Sequence, residues 1–76
     1  MRYIVDVHFR YSQREQIDGV KGLCINSDGN VLHTIGGKGS KSFRTLVCQF
    51  ESSNAAGRFI EEVLDQSLDV HTYAEG

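Results

Sequence analysis

Proline is absent from this chain of 76 residues, cysteine occurs twice, and no run of apolar residues comes near the length of a membrane span. Each shortage excludes something. A membrane-crossing helix needs roughly 20 consecutive apolar residues, so none is expected. Two cysteines, Cys24 and Cys48, cannot supply the dense disulfide framework of a small secreted domain. The N-terminal MRYIVDVHFRY alternates apolar with polar residues and lacks the continuous apolar stretch of a secretory signal. Reduced thiols in a cytoplasmic setting are therefore expected, with both cysteines acting as small buried apolar side chains; on paired strands they could approach each other. The lack of proline removes one common means of blunting a strand edge, which leaves an edge open to a partner strand or a second copy of the chain.

What is present describes one domain over residues 1–76. A chain this short builds a single thin core that hides roughly 60% of its unfolded surface. With 39% hydrophobic and 24% charged residues it has a globular and not a disordered composition, although a mean hydropathy of −0.31 leaves the apolar supply modest. The net charge of −2 conceals an asymmetry. Residues 1–50 hold seven basic and four acidic side chains, a net of +3, whereas residues 51–76 hold Arg58 against six acids, a net of −5. A molecule charged oppositely at its two ends is a poor general binder of polyanions, for which a strongly basic total is usual.

Tyr3, Val5, Val7, Phe9 and Tyr11 occupy every second position, with Arg2, Asp6, His8, Arg10 and Ser12 between them. This period of two predicts a half-buried strand whose first set faces the core. SQREQIDG reads as a loop. Apolar spacing returns in GVKGLCI, which reads as a second strand, stops at NSDGN, and resumes as VLHTI; Asp28-Gly29 between two β-rich runs signals a hairpin, with glycine supplying a positive φ. TIGGKGSKSF follows and then SFRTLVCQF, so a second hairpin over 36–44 is expected. After Phe50 the period lengthens: Ser52 or Ser53 can cap a helix that carries Ala55, Ala56, Phe59, Ile60, Val63 and Leu64 along one stripe. LDVHTY completes the order with a short strand. The expected fold is α+β, a small two-layer domain with a mostly antiparallel sheet of four to five strands covered by one amphipathic helix, in the order β-β-β-β-α-β.

Motifs of catalysis are missing where their chemistry would need them. The glycine-rich run departs from both nucleotide-binding spacings, and a strand follows it where a phosphate site requires a helix N-terminus. His8, Cys24, His33, Cys48 and His71 contain no pair at the two-to-four-residue spacing of structural zinc sites. Strand alternation could still gather the three histidines on the solvent side, and no metal or other cofactor is expected. Neither a nucleophile elbow nor a catalytic cysteine context occurs.

The expected function is thus non-enzymatic binding of a macromolecule through outer surface and hairpin tips. Lys38, Lys41 and Arg44 on the basic hairpin, and Glu61 and Glu62 on the acidic helix, are the candidate contacts. In the order of its expected elements the chain resembles several small phage-encoded inhibitors, including some anti-CRISPR proteins; the resemblance implies an inhibitor of a host complex, rests on no shared motif and transfers no residue roles. A protein partner is the leading expectation. The alternatives are an RNA- or DNA-binding module using the 36–44 hairpin, with Phe43, Tyr3 or Tyr11 available for stacking, and an oligomeric enzyme or ligand-binding protein whose site lies between subunits. A homodimer through an exposed strand edge belongs to the same set, and no membrane is involved.

Overall fold

A computed structural model describes residues 1–36 and 44–75. The chain runs β1 (Arg2–Phe9), a 3-10 segment (Tyr11–Gln16), α1 (Ile17–Asn26), β2 (Asn30–Gly36), β3 (Arg44–Phe50), α2 (Ser53–Asp65) and β4 (Asp69–Glu75). The strands form one four-stranded antiparallel sheet in the order β2-β3-β1-β4. Two split β-α-β units are interleaved in this way, the ferredoxin-like arrangement. Both helices cover the same side of the sheet, as the shared core shows: Val5, Val7 and Phe9 of β1 and Leu46, Cys48 and Phe50 of β3 pack with Ile17, Val20 and Cys24 of α1 and with Ala55, Ala56, Phe59 and Val63 of α2.

The α+β class and the antiparallel sheet are as the sequence predicts, but one expected strand is a helix. GVKGLCI lies in α1, so there are four strands and two helices, and the order is β-α-β-β-α-β. Gly19, Gly22 and the β-branched Val20 and Ile25 all lower helix propensity. Packing overrides them, because Ile17, Val20 and Cys24 fall at i, i+3 and i+7 and bury one face. The preceding SQREQ is a 3-10 turn and not a loose loop: the backbone N–H of Arg10 donates to Gln13 Oε1 at 3.0 Å, and Gln13 Nε2 donates to the carbonyl of Ser67 at 3.3 Å. Tyr11 falls beyond the end of β1 and is exposed, its ring under the Arg14 guanidinium at 4.1 Å. The strands-before-helix order behind the resemblance to phage inhibitors is therefore not the order of this chain.

Asp28-Gly29 is likewise not a hairpin tip but the exit from α1. The positive φ belongs to Asp28, at 64°. Glycine is required at 29 for closeness: a Cβ there would stand 2.4 Å from Phe50 Cε2 and 2.8 Å from Cys24 Sγ. The second expected hairpin does join β2 to β3, with Gly36 opposite Arg44, and its connection at 37–43 lies outside the described residues. Of the two candidate caps for α2, Ser52 serves, its Oγ accepting from the N–H of Ala55 at 3.2 Å. Just past the C-cap of α2, Gln66, the chain turns through a left-handed residue, Ser67, at φ 62°.

Candidate interaction surface

With both helices on one side, no element among the described residues covers the other side of the sheet, the bare face. Alternation along β1 sends Arg2, Ile4, Asp6 and His8 to it, and the registers build cross-strand rows upon them. The first row is Asn30, Gln49, Ile4 and Tyr73. Next comes His33, Val47, Asp6 and His71, and then Ile35, Thr45, His8 and Asp69. A bulge between Val31 and His33 makes this registration: Leu32 is the extra residue, so Val31 stays on the core side while His33 moves into line with Val47.

This face has the make-up of a contact surface. Ile4 and Val47 are 3% and 8% exposed although no helix lies over them and neither joins the main core. Neighbouring side chains shelter them. Around that sheltered pair stand large apolar groups in contact with water, Ile35 at 58% exposure and Tyr73 at 44%; Leu32, in the bulge, is 41% exposed. His71 and Tyr73 lie side by side on β4 with ring centroids 6.0 Å apart. His8 Nδ1 and Thr45 Oγ1 share a hydrogen bond of 2.9 Å across β1 and β3.

Asp6 sits between Val47 and His71 in the central row, and its Oδ1 is shut off from water without a hydrogen-bond partner among the described residues. A carboxylate oxygen so placed loses its hydration and recovers nothing inside the molecule. Its surroundings on the face are Ile4 and His8 on its own strand, Val47 on β3 and His71 on β4. The carboxylate oxygen is thus an unused acceptor bordered by two apolar side chains and two histidines.

The candidate contacts named from sequence fall in different places. Arg44 is exposed at the start of β3, opposite Gly36 and Phe9. Glu61 and Glu62 are exposed on α2, in the helical layer and away from the bare face. Lys38 and Lys41, like Phe43, lie outside the described residues. The three histidines do share the bare face, but they are spread across it: among the described residues, no group of three or more His, Cys, Asp or Glu side chains is placed to hold a metal ion. No helix among the described residues is long and apolar enough to cross a membrane. Sequence reasoning missed Asp6, Leu32, Ile35 and Tyr73. Asp6 was visible only as one polar residue of an alternating strand, and nothing local marks which side of a strand goes uncovered.

The fold itself has counterparts. A de novo designed protein, Foldit4, superposes on the whole chain with a TM-score of 0.77 at 12% identity, and the match covers all of both chains. An identity this low establishes a common fold, a small α+β domain with a four-stranded antiparallel sheet and two helices. No protein-family model matches the sequence, and no curated protein matches it.

Proposed function

We propose that this domain is a non-enzymatic binding protein that docks its bare sheet face on a protein partner, which presents a lysine or arginine side chain to Asp6. The observation that carries this reading is the Oδ1 of Asp6, without a partner among the described residues, on a face that shelters Ile4 and Val47 beside it and exposes Ile35 and Tyr73. A cation brought to that oxygen makes a charge-assisted hydrogen bond, and the exposed apolar side chains around it are buried in the same step. Exposed apolar groups gathered on one face and rimmed by polar residues are a feature of protein interaction sites.

Nucleic acid suits this face less well. On β1 and β3 the bare side carries Arg2, Ile4, Asp6, His8, Thr45, Val47 and Gln49; Tyr73 beside His71 on the edge strand β4 offers a base something to stack on, but a carboxylate at the centre of the face repels phosphate. Arg44 adds an exposed cation at the Gly36 end of the sheet, in register with Phe9 on the helix-covered side, so it lies outside the centre of this face. A domain that covers a working surface of a larger complex in this way would act as its inhibitor.

The test is selection of displayed random peptides on the wild-type domain, with Asp6→Asn as the counter-selecting surface. Enriched peptides are expected to carry Lys or Arg between apolar residues, and amide shifts on titration are expected at Val5–Val7, Val47 and His71. Peptides that bind Asp6→Asn equally well would refute the role of the carboxylate. Preferential binding of a single-stranded RNA oligonucleotide, weakening steeply with salt, would move the function to the hairpin. A stable dimer by light scattering would mean that a second copy covers the face, and the reading would fail. Charge reversal at Glu61 and Glu62, in the other layer, is expected to leave peptide binding unchanged.

A further inference from the structure

The core closes around two thiols. Cys24 in the last turn of α1 and Cys48 in the middle of β3 are both fully buried, both free, and packed in the same core cluster. The intervening chain brings the two segments together. The N–H of Gly29 donates to the Cys24 carbonyl at 2.9 Å, the Cys24 Sγ lies against the bare Cα of Gly29, and two residues later Val31 pairs with Cys48.

We propose that Cys24 and Cys48 form a reversible disulfide that fastens α1 to β3, made by exchange with a small-molecule disulfide of the glutathione class. The Cys24 thiolate attacks one sulfur of glutathione disulfide, the S–S bond breaks, and one glutathione leaves as thiolate. Cys48 then loses its proton and attacks the Cys24 sulfur of the mixed disulfide, and the second glutathione leaves. Two thiols are oxidised and one disulfide is reduced, so atoms and electrons balance. The order of attack follows from the pairing: the hydrogen bond from Cys48 lowers the Cys24 thiol, against the opposing effect of its burial, while the same bond, burial and the nearby charges of Cys24 and Asp6 push Cys48 far up.

Access comes from α1. Its interior holds Gly19 and Gly22, both poorer helix formers than alanine, and its exposed Ile25 contributes nothing to the core. α1 is therefore the element whose local opening uncovers Cys24. This is independent of what the bare face binds, since both thiols lie on the opposite side of the sheet.

Native protein held at neutral pH with glutathione disulfide is expected to lose two hydrogens by intact mass, retain no glutathione, and become resistant to iodoacetamide until dithiothreitol restores both thiols. Cys48→Ala is expected to stop at a glutathione adduct on Cys24. Gly19→Ala with Gly22→Ala, which leaves the core untouched, is expected to slow oxidation several-fold and reach the same product. A glutathione adduct persisting on the wild type, disulfide-linked dimers, or an internal disulfide that forms only in denaturant would overturn the proposal. An unchanged rate in the glycine variant would overturn the route through α1.

Discussion

Replacing Gly29 by alanine inserts one methyl group into the tightest place in the molecule. The new Cβ would meet Phe50 Cε2 at 2.4 Å, Phe50 Cζ at 2.7 Å and Cys24 Sγ at 2.8 Å, where ordinary contact begins near 3.4 Å. Relief requires the Phe50 ring to move by about an ångström. It has little room, being 1% exposed and tilted against Phe59 with centroids 5.1 Å apart. Overpacking a well-filled core costs about 1–3 kcal/mol, and three simultaneous contacts, two of them to a rigid ring, place this substitution near 3 kcal/mol. A domain of this length has in all about 4–11 kcal/mol of stability. At about 4–8 °C per kcal/mol, the melting temperature should fall by about 12–24 °C. Thermal unfolding followed by circular dichroism, with urea titration, measures it. Gly57→Ala is the control: it meets nothing within 4 Å and should raise stability by about 0.5–1 kcal/mol through helix propensity alone. Adding Phe50→Leu to Gly29→Ala should recover about 1 kcal/mol or more relative to additivity. A Gly29→Ala protein that melts within a few degrees of the wild type would refute the reasoning.

Further outcomes follow from individual side chains. Ser52→Ala removes the acceptor that satisfies the Ala55 N–H and should lower the unfolding free energy by about 1 kcal/mol; urea midpoints check it. Ser67→Gly frees a left-handed residue at the end of α2 from its steric penalty and should raise stability by about 1 kcal/mol, leaving intact the backbone carbonyl that accepts from Gln13. Asp6→Val removes an unpaired acceptor from the bare face and should stabilise the free domain by about 1–2 kcal/mol while abolishing capture of basic peptides; loss of stability would assign Asp6 a structural role.

Period and punctuation in the chain were enough to determine its class. The alternation of Val5, Val7 and Phe9 marks β1 and its buried side, the stripe of Ala55, Ala56, Phe59 and Val63 marks α2, and Ser52 marks where that helix starts. These signals are local, because the spacing of apolar residues is itself the geometry of the element. For α1 the local signals conflict: the glycines weaken a helix and the β-branched residues favour a strand, while Ile17, Val20 and Cys24 fit one helical face. Only a sheet surface in need of cover resolves the conflict in favour of the helix. The purpose of Gly29 is equally invisible along the chain, since the ring it accommodates comes from β3. The bare face is a property of the assembled sheet alone: Ile4 and Asp6 belong to an ordinary alternating strand until the split β-α-β crossovers place both helices on the other side. Which side of a sheet is left open depends on the handedness and order of its connections, and the spacing of residues within one strand does not encode that choice.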